Sequence, residues 1–155
     1  MSESSESAAE RSDRNLGELL QELRVAGVGV QVLFGFLLSL PFTNRFSQLA
    51  GWQRDLYLVS LTLTVTATAL LMGPVAYHRV LFHQGRRPTV VRAANVLAMT
   101  GMAIVSIAIC TAVAVVASYV AHPAAGIVLA GVLGCVFIIL WVVLPLSRRE
   151  VNRRD

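Results

Sequence analysis

The sequence predicts an all-α fold, a four-helix transmembrane bundle with both termini on the cytoplasmic side and a short N-terminal amphipathic helix lying at the interface. Three observations predict it. Of the 155 residues, 55% are apolar and only 14% are charged, against about 25% charge in a typical soluble domain. The charges fall in short islands separated by uncharged runs of about 20 residues, the length that crosses roughly 30 Å of hydrocarbon. The basic residues also crowd into alternate islands, as they do in proteins that obey the positive-inside bias.

Beyond Met1, residues 1–14 are Ser, Glu, Ala, Arg and Asp without a large apolar side chain, so they cannot bury enough surface to offset ordering entropy and are expected to form a disordered acidic tail. In residues 15–24, Leu16, Leu19, Leu20 and Leu23 fall on one helical stripe, with Glu18, Gln21, Glu22 and Arg24 on the other face. Asn15 and Glu18 resemble a capping pair. The pattern suits a helix at the membrane interface or one packed on the loops of its own bundle. Because the tail is acidic rather than short and basic, the first apolar run is not expected to be a cleaved signal.

Four spans are expected inside a membrane domain of residues 15–147, at about 25–42, 56–77, 94–120 and 124–146. Pro41 and Asn44 close the first. The second contains SLTLTVTATA, which alternates as a strand would, but an open strand in lipid leaves backbone groups unpaired and the run is read as helix. From Ala93 to Ser147 there are 55 residues without Asp, Glu, Lys or Arg. That is too long for one span, and the break is placed at His122, Pro123 and Gly126, since Pro is tolerated in a first helical turn.

All 13 basic side chains other than His are arginines. Eleven lie before span one, between spans two and three, or in the basic tail 148–155, against two, Arg45 and Arg54, on the other side. That asymmetry predicts an even number of spans with both ends inside the cell. Arg79, Arg86, Arg87, Arg92, Arg148 and Arg149 are expected to meet anionic lipid headgroups. Their placement beside apolar runs argues against nucleic acid as a partner.

Chemistry-bearing residues are sparse. No Asp, Glu, Lys or Arg lies in the core of any expected span, whereas proton and sodium coupling usually relies on an embedded carboxylate. Gln31 is the most polar side chain deep in a span; it is a candidate ligand or ion contact, or a helix-to-helix hydrogen bond. Ser60, Thr64 and Thr68 repeat at four-residue spacing in span two, as a hydroxyl-lined path or a packing seam. Gly126, Ala130 and Gly134 make two small-xxx-small steps in span four, the strongest helix-packing signal in the chain. His78 and His83 flank Arg79 and titrate near neutrality, but five residues apart they do not share a helical face, and all three are expected at the interface. Cys110 and Cys135 stand in separate apolar runs without a zinc or disulfide pattern. No cofactor or metal is expected. The sequence holds no GxSxG, HExxH, phosphate loop, CxxC or GxGxxG, so an enzyme is not expected.

NLGELLQELRV at 15–25, GVQVLFGFLLSLPFTNRF at 29–46, PVAYHRVLF at 74–82 and RAANVLA at 92–98 together resemble a family of small four-span membrane proteins, common in actinobacteria and catalogued as a domain of unknown function. The resemblance covers about residues 15–146, and LPFTNRF and PVAYHR are its most specific pieces. It implies a bacterial inner-membrane location. Some members of that family are labelled sodium:proton antiporters, an activity the resemblance implies and the missing intramembrane carboxylate opposes. The leading expectation is a non-enzymatic structural or accessory subunit, as a homo-oligomer or with a membrane protein partner. The alternative is a small oligomeric transporter or channel.

Overall fold

The computed structural model describes residues 8–81, 87–144 and 146–147. They form four long packed helices, α1 (Ala8–Ser39), α2 (Gly51–Leu81), α3 (Arg87–Val120) and α4 (Pro123–Ile138), the last continued by a π-helical turn at Ile139–Val143. Each carries a stretch long and apolar enough to cross a membrane: Gln21–Phe42, Gly51–Pro74, Ala93–Val120 and Pro123–Val143.

The interfacial helix expected at 15–24 is not a separate element. It is the N-terminal part of α1, which runs unbroken from Ala8 into the first span. Asn15 therefore lies in a helix interior and is not a cap, and residues 8–14 of the expected disordered tail are helical. Once a helix is nucleated, extending it costs little and needs no burial, and Ala8, Ala9, Glu10 and Arg11 are good formers. An exposed ion pair, Arg14 Nε to Glu18 Oε1 at 3.9 Å, lies on this stretch.

α1 ends where Pro41 disfavours α backbone before it. The chain tightens into a 3-10 turn at Leu40–Phe42, and Thr43 donates from both its backbone N–H and its Oγ1 to the Leu40 carbonyl. A second 3-10 turn follows at Phe46–Gln48. α3 ends at Val120, and His122 caps α4 by accepting from the Ala124 N–H at 3.2 Å on Nδ1, with Pro123 in the first turn where its missing donor costs nothing. The break expected at His122 and Pro123 falls there. Gly126 is inside the helix rather than in the hinge.

The chain divides into two compact units, one made of the described residues of Met1–Phe36 and Thr64–Ile104, the other of those of Leu37–Leu63 and Val105–Asp155. In the first, Leu23, Val30, Ala67, Leu71, Ala94 and Ala98 are buried. α2 and α3 approach closely there: a Cβ on Gly101 would lie 3.0 Å from Leu71 Cγ, and one on Gly73 would lie 3.2 Å from Leu97 Cδ1. In the second, Leu37, Tyr57, Ala108 and Val115 are buried together with Gln53, Ser60, Ser106 and Ser118.

Candidate functional site: a cavity of the first unit and the face of α4

In the second unit the polar side chains are joined to one another. Gln53, at the start of α2, accepts from the Ala50 N–H at 2.9 Å and donates to Ser118 Oγ at 3.1 Å, and Ser118 donates onward to the Val115 carbonyl. Tyr57 donates to the Leu37 carbonyl at 3.0 Å, and Ser60 to the Ala108 carbonyl at 2.9 Å. Tyr119 donates to Gln48 Oε1, Arg54 donates to the Ser47 carbonyl, and Phe46 meets the Tyr57 ring edge-on at 5.1 Å. Among the described residues no buried side-chain polar atom lacks a partner. In a low dielectric such satisfied bonds fix helix register.

α4 rests on α3 through Gly126, the one buried residue of that helix. A Cβ there would lie 2.6 Å from the Ala114 carbonyl oxygen and 3.0 Å from Ser118 Cβ, so the two backbones meet where a side chain would stand. The sequence left open whether the small-residue steps serve an internal neighbour or another molecule. Gly126 serves the internal one. Gly131 and Gly134 have nothing within 4 Å of an added Cβ, and Ala130 is half-buried. Only 6% of the apolar stretch of α4 is buried, against 28% for α2.

The first unit is different. Arg24, Gly27, Val28 and Gln31 recur at i, i+3, i+4 and i+7 on α1, and Thr68, Leu71 and Met72 at i, i+3 and i+4 on α2; with Leu23 and Val30 they line a cavity of about 360 Å³. Gly27 supplies room, since nothing lies within 4 Å of its would-be Cβ. Gln31, Val28 and Met72 are exposed, so the cavity is open on one side. Thr68 donates to the Thr64 carbonyl at 2.8 Å, which leaves its oxygen free to accept. Among the described residues neither the Gln31 amide nor the Arg24 guanidinium has a partner.

Gln31, which the sequence offers as a ligand or ion contact or as a helix-to-helix hydrogen bond, is an exposed wall of this cavity together with Thr68. Thr64 is fully buried and Ser60 likewise, outside the cavity lining. The missed residues are Arg24, Gly27 and Gln53. Arg24 and Gln31 being seven residues apart was the available signal for the first two; Gln53 sits in a polar connection where burial leaves no trace in sequence. His83, Arg86, Arg148 and Arg149 lie outside the described residues, and the side chains of His78, Arg79, Arg87 and Arg92 are not among those described. Both cysteines are free. Among the described residues no three of His, Cys, Asp and Glu are grouped to hold a metal.

Four apolar helices, packed and of spanning length, define a multi-pass membrane protein. Within that class the chain matches the family described as a Family of unknown function (DUF6328) over residues 5–145, and it belongs to that family. No curated protein and no solved structure matches it.

Proposed function

We propose that the chain is a non-enzymatic structural or accessory subunit of the bacterial inner membrane, with both termini cytoplasmic, that associates through the free face of α4 with a second copy or another membrane protein. The observation that carries this is the contrast within one helix. Gly126 is consumed by packing on α3, while Gly131 and Gly134 continue the small-residue pattern with space above them and Ala130 is half-buried. In lipid, where apolar burial alone drives little helix association, small residues that admit a close backbone are the usual seam. The test is cross-linking of the purified protein in nanodiscs and in native membranes. Leu at Ala130 and Gly134 should abolish the cross-linked species while leaving the helical spectrum unchanged. The same pattern of species with and without the substitutions sinks the reading.

A second reading, a small oligomeric transporter or channel that includes sodium:proton exchange, is favoured by one observation: Gln31 and Thr68 face the same cavity. Against a cation stands Arg24 on that cavity's wall, a positive charge in a region of low dielectric where repulsion is weakly screened. Flux separates the two readings. In liposomes under a sodium gradient, internal pH should not move beyond the protein-free control; a pH change abolished by Gln31→Ala would establish the transporter instead.

A further inference from the structure

We propose that the cavity lined by α1 and α2 is a binding site for an anionic amphiphile, whose charged head meets Arg24 and whose chain lies on Leu23, Val30, Leu71 and Met72. The site is distinct from the association face of α4 and stands or falls separately from it.

Three features of the lining select this chemistry. Arg24 is a permanent cation with five donors in a fixed fork, suited to carboxylate or phosphate oxygens. It has no partner among the described residues, and it sits near one end of a spanning stretch that begins at Gln21, where an anionic headgroup is found. Two helical turns further on, about 10 Å along the axis, Gln31 offers amide donors and Thr68 an oxygen that accepts. An exposed amide in a spanning segment is costly unless something hydrogen-bonds to it, and nothing among the described residues does. The remaining wall is aliphatic and thioether, with Leu23, Val30 and Leu71 buried behind it.

The size agrees. A cavity of about 360 Å³ accommodates on the order of a dozen non-hydrogen atoms at roughly 30 Å³ each, the head-proximal part of one acyl chain. A metal cation or a sugar fits poorly, the first because the one charge present is positive, the second because most of the lining is apolar. Gly27 keeps space open on the α1 side, since a Cβ added there meets nothing within 4 Å.

Two sources supply this chemistry, a glycerophospholipid of the bilayer and a free fatty acid. The phospholipid offers a phosphate to the charged donor and ester carbonyls to a neutral one. The fatty acid has one head. The experiment is native mass spectrometry of the full chain released from nanodiscs of phosphatidylglycerol, of phosphatidylcholine, or of phosphatidylcholine with added oleate, for the wild type, Gly27→Leu, Arg24→Gln and Gln31→Leu. The expected result is one retained phosphatidylglycerol per chain and little phosphatidylcholine. Gly27→Leu removes that lipid by filling its place. Arg24→Gln weakens its retention about tenfold, the size of one charge-assisted hydrogen bond, and levels the two phospholipids. Gln31→Leu weakens it less. Retention of oleate in the third nanodisc, lost in Gly27→Leu, assigns the site to a fatty acid and keeps the anionic chemistry. Arg24 is exposed and Gly27 has open space beside it, so neither variant should disturb folding, and circular dichroism checks that. Equal retention of both phospholipids by the wild type, or retention that Gly27→Leu leaves unchanged, overturns the proposal.

Discussion

Gly126 and Gly134 are both glycines of α4, eight residues apart, and physics treats them in opposite ways. Replacing a helical glycine by alanine is favourable by about 1 kcal/mol through backbone entropy. At Gly134 that gain is unopposed, because the new methyl meets nothing within 4 Å. At Gly126 the methyl would stand 2.6 Å from the Ala114 carbonyl oxygen, and overpacking of this kind costs about 1–3 kcal/mol, enough to reverse the sign. We therefore expect Gly126→Ala to lower the thermal midpoint in detergent and Gly134→Ala to leave it level or raise it. A midpoint unaffected by Gly126→Ala would mean that α4 does not seat on α3 at this residue. Gln53 illustrates the same dependence on surroundings for a polar group. It lies in a segment whose neighbours are exposed, yet it is 6% exposed and bonded at both ends of its amide, while Gln31, surrounded in sequence by apolar residues, is the exposed one. Burial of an amide is decided by which helix face meets a neighbour, and hydropathy along the chain is blind to that.

At the scale of elements, the sequence reading succeeds where hydrocarbon thickness sets the answer. The expected spans at about 25–42, 56–77, 94–120 and 124–146 lie within about five residues of the apolar stretches Gln21–Phe42, Gly51–Pro74, Ala93–Val120 and Pro123–Val143, because an unpaired backbone in lipid leaves helix as the available solution. Pro41 and Pro123 both mark real breaks, the first where α1 gives way to a 3-10 turn and the second in the first turn of α4, where its missing donor costs nothing. The failures have causes too. Helix over Ala8–Arg14 gives no burial signal, since it is propagated from a nucleus further along α1. The π-helical turn at Ile139–Val143 contains Trp141, whose ring meets that of Phe137 with centroids 5.4 Å apart, in a segment that is apolar on every side and so shows no periodicity to break. The cavity is half legible: Gln31 and Thr68 stand out as polar in the sequence, but only the packing of α1 on α2 in the first unit shows them sharing a wall with Arg24, which the sequence places on the polar face of an amphipathic helix.

For the molecule as a whole, orientation rests on charge alone, and arginine makes the argument stronger than lysine would. A guanidinium stays protonated at any pH met in a cell, so it cannot cross the bilayer neutral, and each one left on the far side opposes insertion. Eleven arginines against two is a lopsided count. Of the two on the minority side, Arg54 donates to the Ser47 carbonyl at 2.6 Å, within the 3-10 turn that Arg45 precedes. Topology is therefore expected to be uniform, with the 43–50 connection outside and both tails inside. With Cys110 and Cys135 replaced by Ala, a cysteine introduced at Asn44, which is exposed, should react with a membrane-impermeant maleimide added to intact cells, whereas one at Ser147 should react only after permeabilisation. The opposite pattern would invert the protein and place Arg24 with its cavity in the outer leaflet; labelling of both sites in intact cells would mean that the arginine imbalance does not dictate insertion and that the population is mixed.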